Sequence, residues 1–328
     1  MVNLATTYMG LKLKNPIIVG SSGLTNSVEN IKEAAANGAA AVVLKSLFEE
    51  QITHGASHTL KQDEYSNHYP EAEDYVRNYT RHNDVDKYLK LIRDSKQAVD
   101  IPIIASINCT SSHEWIEFAK KIEEAGADAL ELNVFVLPSD PHHSAEDNEK
   151  VYFELVEKIT KTIKIPISLK ISYYFSSLAK MALKLSWTGI SGLVFFNRFF
   201  SPDIDIDKFE IKASNVFSQP EELAISLRWV AMMSTKVHCD IAASTGIHDS
   251  KALIKQLLAG AKATQIASVL YKKGFQEIGV MLKELETWMQ KHNFKTTDEF
   301  IGKMSVKEAA NPAAYERVQF MKHFSGIE

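Results

Sequence analysis

What most constrains this chain is an alternation kept up almost from end to end. Short, continuously apolar runs take turns with stretches that are apolar on one helical face only. The runs are PIIVG (16–20), AAVVLKS (40–46), PIIASIN (102–108), ALELNVF (129–135), PISLKIS (166–172), GLVFFNR (192–198), CDIAAST (239–245) and ATQIAS (263–268). Runs of this kind belong to strands covered on both faces, as in a parallel sheet. Between them, VENIKEAAANG (28–38), EWIEFAKKIEEAG (114–126) and SKALIKQLLAG (250–260) repeat apolar residues at helical spacing and end on glycine. Gly38, Gly126 and Gly260 suit the left-handed position that stops a helix. NGAAAV, AGADAL and AGAKAT then read as one helix-to-strand turn used three times, a weak internal repeat.

Eight strands, each followed by a helix, predict an α/β fold of the (β/α)8 TIM-barrel type. The competing open, doubly wound sheet would carry a GxGxxG turn after an early strand, and none is present. The 328 residues suit one large barrel or two average domains. The pattern places the barrel at 1–305 and a C-terminal helical extension at 306–328, containing AAYERVQFMKHF. The opening ATTYMGLKLKN reads as a short hairpin that plugs the end opposite the C-terminal mouth. Two long insertions, 47–83 and 199–220, follow the second and sixth strands and so belong at the C-terminal mouth. The first is polar and rich in His and Tyr; the second alternates like short extra strands. Loops of this length are usually lids or binding elements.

A net charge of −4, with Lys and Arg scattered, argues against nucleic-acid or anionic-membrane binding. No apolar run approaches the roughly 20 residues that span a bilayer, and the N-terminus lacks a signal-peptide pattern. The two cysteines, Cys109 and Cys239, form no CxxC. A cytoplasmic protein is expected.

In a barrel of this kind, chemistry sits at the C-terminal strand ends. In order these read Gly20-Ser21-Ser22-Gly23, Lys45-Ser46, Asn108, Asn133, Lys170 with Ser172, Asn197-Arg198, Ser244-Thr245-Gly246 and Ala267-Ser268. Amides, hydroxyls, glycines and cations, with no carboxylate among the terminal residues, suit an electron-rich ligand carrying negative charge. STGIHD (244–249) and ASVLYKKG (267–274) are small-residue turns leading into helices, where backbone N–H groups bind phosphate; the plainer reading makes Gly246 and Ala267 tight-turn residues only. Lys170 shares a strand face with Ser168 and Ser172. A buried lysine needs an anionic partner or must lose its proton, so it faces a cofactor's anionic edge, or serves as a Schiff-base nucleophile, or reaches solvent from the strand tip.

Taken in order, NPIIVGSSG, VVLKS, LELN, SLKIS, GLVFFNR and STGIHD…GAKATQIASVLYKKG resemble the dihydroorotate dehydrogenases, in particular the class 1 enzymes that lack a membrane-binding extension. The likeness runs to about DEFIGKMS (298–305). It implies FMN at the barrel mouth, oxidation of dihydroorotate to orotate in pyrimidine biosynthesis, and a homodimer. Carried over, it places Ser21, Ser22, Gly23, Lys45 and Ser46 against the flavin, and Asn108 and Asn133 on cofactor or substrate. Lys170 falls at the flavin's pyrimidine edge, where its charge stabilises the reduced, anionic form. Asn197 and Asn67 fall on the substrate, and Gly246, Ile247, Ala267 and Ser268 on the FMN phosphate.

The likeness breaks after the fourth strand. The family's Asn-x-Ser-Cys-Pro-Asn, or its serine variant, becomes Asn133-Val134-Phe135-Val136-Leu137-Pro138. The proton acceptor's place falls on Val136, which cannot accept a proton. The asparagine-rich loop after strand two becomes YSNHYPEAEDY, keeping only Asn67, and the hydroxyl after Asn197 becomes Arg198. Ser139, Asp140, His142, His143, Tyr173 and Tyr174 are the groups nearby in sequence that would stand in; a histidine pair in a polar loop is more often solvated. Cys109 reads as a small buried residue, and His54, His58 and His68 as solvated loop residues. No metal site is expected. Three functions follow in order: an FMN oxidoreductase of the dihydroorotate dehydrogenase type with an altered substrate shell, an FMN-binding protein without dehydrogenase activity, and a Schiff-base aldolase using Lys170. With no nicotinamide motif or iron–sulfur cysteine set, use of NAD would need a partner subunit.

Overall fold

The computed structural model describes residues 2–48, 70–108, 115–198, 201–214 and 216–316. The chain opens on a hairpin, β1 (Thr6–Tyr8) and β2 (Leu11–Leu13), paired antiparallel with Thr6 opposite Leu13. Next come β3 (Ile17–Val19), β4 (Ala41–Val43), β5 (Leu47–Phe48), β6 (Ile103–Asn108), β7 (Ala129–Asn133), β8 (Ile167–Ile171) and β9 (Gly192–Phe195). An antiparallel pair follows, β10 (Ser201–Asp205) with β11 (Glu210–Ser214), and then β12 (Asp240–Ser244) and β13 (Ala263–Ile266). Strands β3, β4, β6, β7, β8, β9, β12 and β13 pair in parallel and close on themselves, β13 returning to β3. All eight apolar runs are therefore barrel strands, and the predicted fold is the observed one.

The connecting helices are α1 (Val28–Ala36), α2 (Pro70–Ala98), α3 (Trp115–Glu124), α4 (Ala145–Thr160), α5 (Leu178–Leu185), α6 (Leu223–Met233), α7 (Ser250–Ala259), α8 (Ser268–Lys273) and α9 (Gln276–Lys291). Local chemistry sets their ends. The hydroxyl of Ser27 accepts from the Asn30 N–H, and the Asp249 carboxylate accepts from the Ala252 N–H. Gly38, Gly126 and Gly260 all have positive φ, as the thrice-used turn predicts. Two expectations for the insertions differ in outcome. Residues 201–214 form the extra strands predicted for 199–220. The span 47–83 is not loop throughout: 70–83 belongs to α2, whose long polar pattern hides helical periodicity; 49–69 lie outside the described residues. Of the segment 313–324, Ala313–Glu316 is helical, and the rest lies outside the described residues.

Strand alternation sorts the core into two shells. Outward-facing residues such as Val19, Ile103, Leu132, Leu169, Leu193 and Ile266 pack under the helices. Each fully buried side chain of this size is worth about 1.5–3 kcal/mol. Inward-facing Ile18, Val43, Ile104, Ala129, Val194, Ala242 and Ala263 form the barrel floor and pack on Tyr8, Met9 and Leu13 of the hairpin. The hairpin thus plugs the end opposite the mouth. Where β4 stops short, the Tyr88 hydroxyl of α2 completes the ladder, donating to the Ser106 carbonyl (2.9 Å) and accepting from its N–H (2.7 Å).

Candidate active site

Above the apolar floor the inward positions turn polar while staying buried: Ser106, Glu131, Ser168, Lys170 and Gln265. Lys170 Nζ donates to Gln265 Oε1 at 2.9 Å and lies 3.6 Å from Glu131 Oε1. Gln265 Nε2 donates in turn to Glu131 Oε2. Lys170 thus has the anionic partner that a buried lysine needs. The partner escapes the strand-end reading because Glu131 sits two residues below the rim residue Asn133. Gln265 is likewise two residues below Ala267.

A cavity of about 470 Å³ opens over Lys170 and Gln265. Of the positions singled out in the sequence, Gly20 to Gly23, Lys170, Asn197, Arg198, Ser244 to Ile247, Ala267 and Ser268 line it, while Asn108 and Asn133 do not. Ser46 stands behind the wall instead: its hydroxyl is 3.0 Å from the Ser21 hydroxyl and 2.7 Å from that of Ser106, and its N–H donates to Ser21 Oγ. Lys45 is half-buried and outside the lining. Asn133 accepts from Asn197 Nδ2 at 2.8 Å, so the two amides act as one unit. Asn108 Oδ1 is buried without a hydrogen-bond partner. Asn67, Cys109, His54, His58 and His68 lie outside the described residues.

One end of the cavity is formed by the two small-residue turns. Thr245 and Gly246 both have positive φ, and a Cβ on Gly246 would lie 2.2 Å from the Leu223 nitrogen, so only glycine lets the turn approach α6 this closely. Residues Val216, Phe217 and Ser218, from the insertion 199–220 expected at the mouth, strap over this end. Arg198 Nη1 donates to the Val216 carbonyl (2.9 Å), the Ser218 N–H to Ser268 Oγ (3.0 Å), and Lys272 Nζ to the Ser218 carbonyl (3.1 Å). His248 Nε2 is 3.0 Å from Ser218 Oγ. Burial, and then the nearby Lys272 ammonium, hold the His248 imidazole below its ordinary range. Phe217 and Tyr271 pack ring on ring at 5.0 Å.

The missing proton acceptor has no replacement in the loop after β7 among the groups lining this cavity. Val136 is half-buried, and its N–H donates to the Tyr152 hydroxyl at 3.4 Å. It borders a separate hollow with Pro138, His143 and Tyr174. His142 and His143 are exposed, His143 beside Asp140 at 3.5 Å. Tyr173 and Tyr174 border a third, adjoining hollow with Asn197 and Arg198. The hydrogen bond with Tyr174, followed by burial, pushes the Tyr173 phenol up to about 12, away from proton-acceptor duty near neutral pH. Arg198, in place of a hydroxyl, pairs with Glu222 at 2.9 Å. Among the described residues no group of three His, Cys, Asp or Glu side chains is arranged to hold a metal ion, and no helix is long and apolar enough to cross a membrane.

Comparison with known proteins agrees with this geometry. The family model described as dihydroorotate dehydrogenase matches residues 3–289. The catalytic subunit of dihydroorotate dehydrogenase B (NAD(+)) from Thermoplasma volcanium is 28% identical, over 92% of this chain and 98% of its own length. Its counterpart from Methanocaldococcus jannaschii is 26% identical, over 91% and 97%. Subunit PreA of the NAD-dependent dihydropyrimidine dehydrogenase of Escherichia coli is 25% identical, over 92% of this chain and 76% of its own.

Proposed function

Because the chain belongs to the dihydroorotate dehydrogenase family, oxidoreductases acting on CH–CH bonds, we propose that it holds FMN in the mouth cavity and oxidises or reduces a small heterocycle related to dihydroorotate. One juxtaposition carries this reading. Lys170 and Gln265 form the cavity floor, Gly20 to Gly23 one wall, and the Gly246–Ile247 and Ala267–Ser268 turns one end. The donor set fits FMN part by part. The Lys170 ammonium suits the pyrimidine edge, and the backbone of the two turns suits the phosphate. Asn108, whose buried Oδ1 has no partner, stands outside the lining and adds nothing to this fit. The volume falls within the usual range for a small-molecule site, about 300–1,000 Å³.

FMN supplies the two-electron chemistry; the chain supplies binding, orientation and charge. Lys170 keeps positive charge against the ring edge. The Asn133–Asn197 pair offers a donor and an acceptor to a substrate's amide edge. What the chain does not offer at the family's position is a proton acceptor, since Val136 stands there. Dihydroorotate is therefore a slow substrate, and the preferred one needs no thiol or hydroxyl base from this loop. The two cysteines cannot supply the four thiolates of an ordinary iron–sulfur cluster. All three of these relatives are named as subunits of NAD-dependent enzymes, which supports a second chain as the route for electrons.

The test is an anaerobic visible spectrum of the purified protein before and after dihydroorotate. Fast bleaching of the flavin band means another group replaces the base. A yellow protein that stays yellow keeps the cofactor and moves the substrate elsewhere, and a colourless protein that takes up no FMN ends the proposal. Val136→Cys is expected to speed bleaching by dihydroorotate by about a hundredfold, the low end of what a positioned base contributes. Stopped-flow absorbance reads this directly, and an unchanged rate would place the family's base elsewhere in this chain.

A further inference from the structure

The barrel core holds a carboxylate that the proposed function leaves without a task. Glu131 is 1% exposed and stands between the apolar floor and the cavity. Inward positions of the layer below are filled by Ile, Val and Ala, so packing alone asks for no charge here. A buried carboxylate is costly unless it is paired and hydrogen-bonded, and both of the links described for Glu131 run toward Lys170. Its Oε1 makes no hydrogen bond and faces Lys170 Nζ at 3.6 Å; its Oε2 accepts from Gln265, whose own Oε1 accepts from Lys170. Among the described residues, the other ionisable groups around this centre are the buried Tyr8 and Tyr88 phenols and Arg198 at the rim, which is engaged by Glu222.

We propose that Glu131 is the positioning residue for Lys170, holding its ammonium at the cavity floor both directly and through Gln265. The inference rests on FMN occupying that cavity. The side-chain amide of Gln265 has two faces. Glu131 claims the NH2 face, so the carbonyl is the one turned to the ammonium. Without Glu131 the amide is free to turn its donors toward Nζ, and the ammonium loses the one anion near it among the described residues. A buried lysine in that position gives up its proton or swings away. Either way the cavity loses the charge that favours reduced over oxidised FMN.

The experiment measures, on FMN-loaded protein, the preference for reduced over oxidised FMN, obtained from the midpoint potentials of bound and free FMN. Wild type is compared with Glu131→Gln, Glu131→Leu and Lys170→Met, with thermal melts alongside. Glu131→Leu is expected to lower the preference roughly ten- to a hundredfold, the worth of a hydrogen bond to a charged group, and to match Lys170→Met. Glu131→Gln, which keeps an acceptor for Gln265 but no charge, falls between. The double variant is no worse than Lys170→Met alone. A preference that holds while melting drops makes Glu131 purely structural, and a preference that rises makes it a mere opponent of the lysine's charge; both overturn the inference. If Glu131→Leu does not fold, the near-isosteric Glu131→Gln decides. Wild-type protein that takes up no FMN overturns the cofactor reading and this inference together, whereas loaded variants with unmoved preference overturn the inference alone.

Discussion

At the residue scale, what was legible followed from period-two alternation. Lys170, Ser168 and Ser172 fall on one face of a strand, and that face proves to be the barrel interior. Its partners were not legible. Gln265 lies 95 residues from Lys170, and 134 from Glu131, so only closure of the barrel brings the three together. The strap Val216 to Ser218 was legible as part of the insertion at the mouth, but its anchors Arg198, Ser268 and Lys272 were not, since they belong to other elements. His248, which holds the strap through Ser218, gives a pH prediction. Burial first, and Lys272 second, set its folded pKa below the ordinary 6.5. The unfolded chain therefore takes the proton first, and stability rises with pH. The contribution is whole above the ordinary value and is lost as pH falls through it toward the folded one. Melting temperature should drop more steeply between about pH 7 and pH 5 in wild type than in His248→Gln, whose amide bonds Ser218 without titrating. Equal slopes would remove His248 from the account.

Elements were the most readable level, because each barrel strand and its helix carry their own pattern. Helix α2 is the exception. Its solvent-side polarity overwhelms the stripe that buries Tyr88, Leu89 and Ile92, so its first turns read as loop. The hairpin of β1 and β2 was legible both as an element and as a plug opposite the mouth, while the closeness of its contact with the barrel was not. A Cβ on Gly192 of β9 would come within 2.8 Å of the Tyr8 hydroxyl oxygen and 2.9 Å of Met9 Cγ. Plug and barrel therefore meet at a position where a single methyl is too much. Gly192→Ala is expected to cost about 1–3 kcal/mol by overpacking, and Tyr8→Ala about 3–5 kcal/mol through lost burial. Together they should cost about 1 kcal/mol less than their sum, because removing the ring makes room for the methyl. Urea denaturation of the four proteins measures the coupling; strictly additive costs would mean that the hairpin and β9 adjust independently.

Over the whole molecule, the barrel divides labour along its axis. The floor is apolar and sealed by the hairpin, the middle layer carries the buried Lys170–Glu131–Gln265 network, and the rim gathers amides, hydroxyls and turns from eight strands. Sequence alone identifies the rim residues, since they stand at strand ends. It cannot say which line the cavity and which, like Ser46, stand behind its wall, because that depends on strand stagger and on the strap. A rim assembled in this way exists only in the folded chain, so a ligand that fills it binds the native state and not the unfolded one. Stabilisation then follows the free ligand concentration, about 2.7–4.1 kcal/mol at one hundred to one thousand times Kd. For a domain of this size each kcal/mol moves the melting temperature by about 2–4 °C. Stripping FMN should accordingly lower Tm by about 5–15 °C with the far-ultraviolet circular dichroism unchanged, and adding FMN back should restore it. Riboflavin, which lacks the phosphate, should restore less at the same concentration, because the turns at Gly246–Ile247 and Ala267–Ser268 then have no anion to hold. Equal recovery by the two flavins would reassign that end of the cavity, and with it the reason the strap closes there.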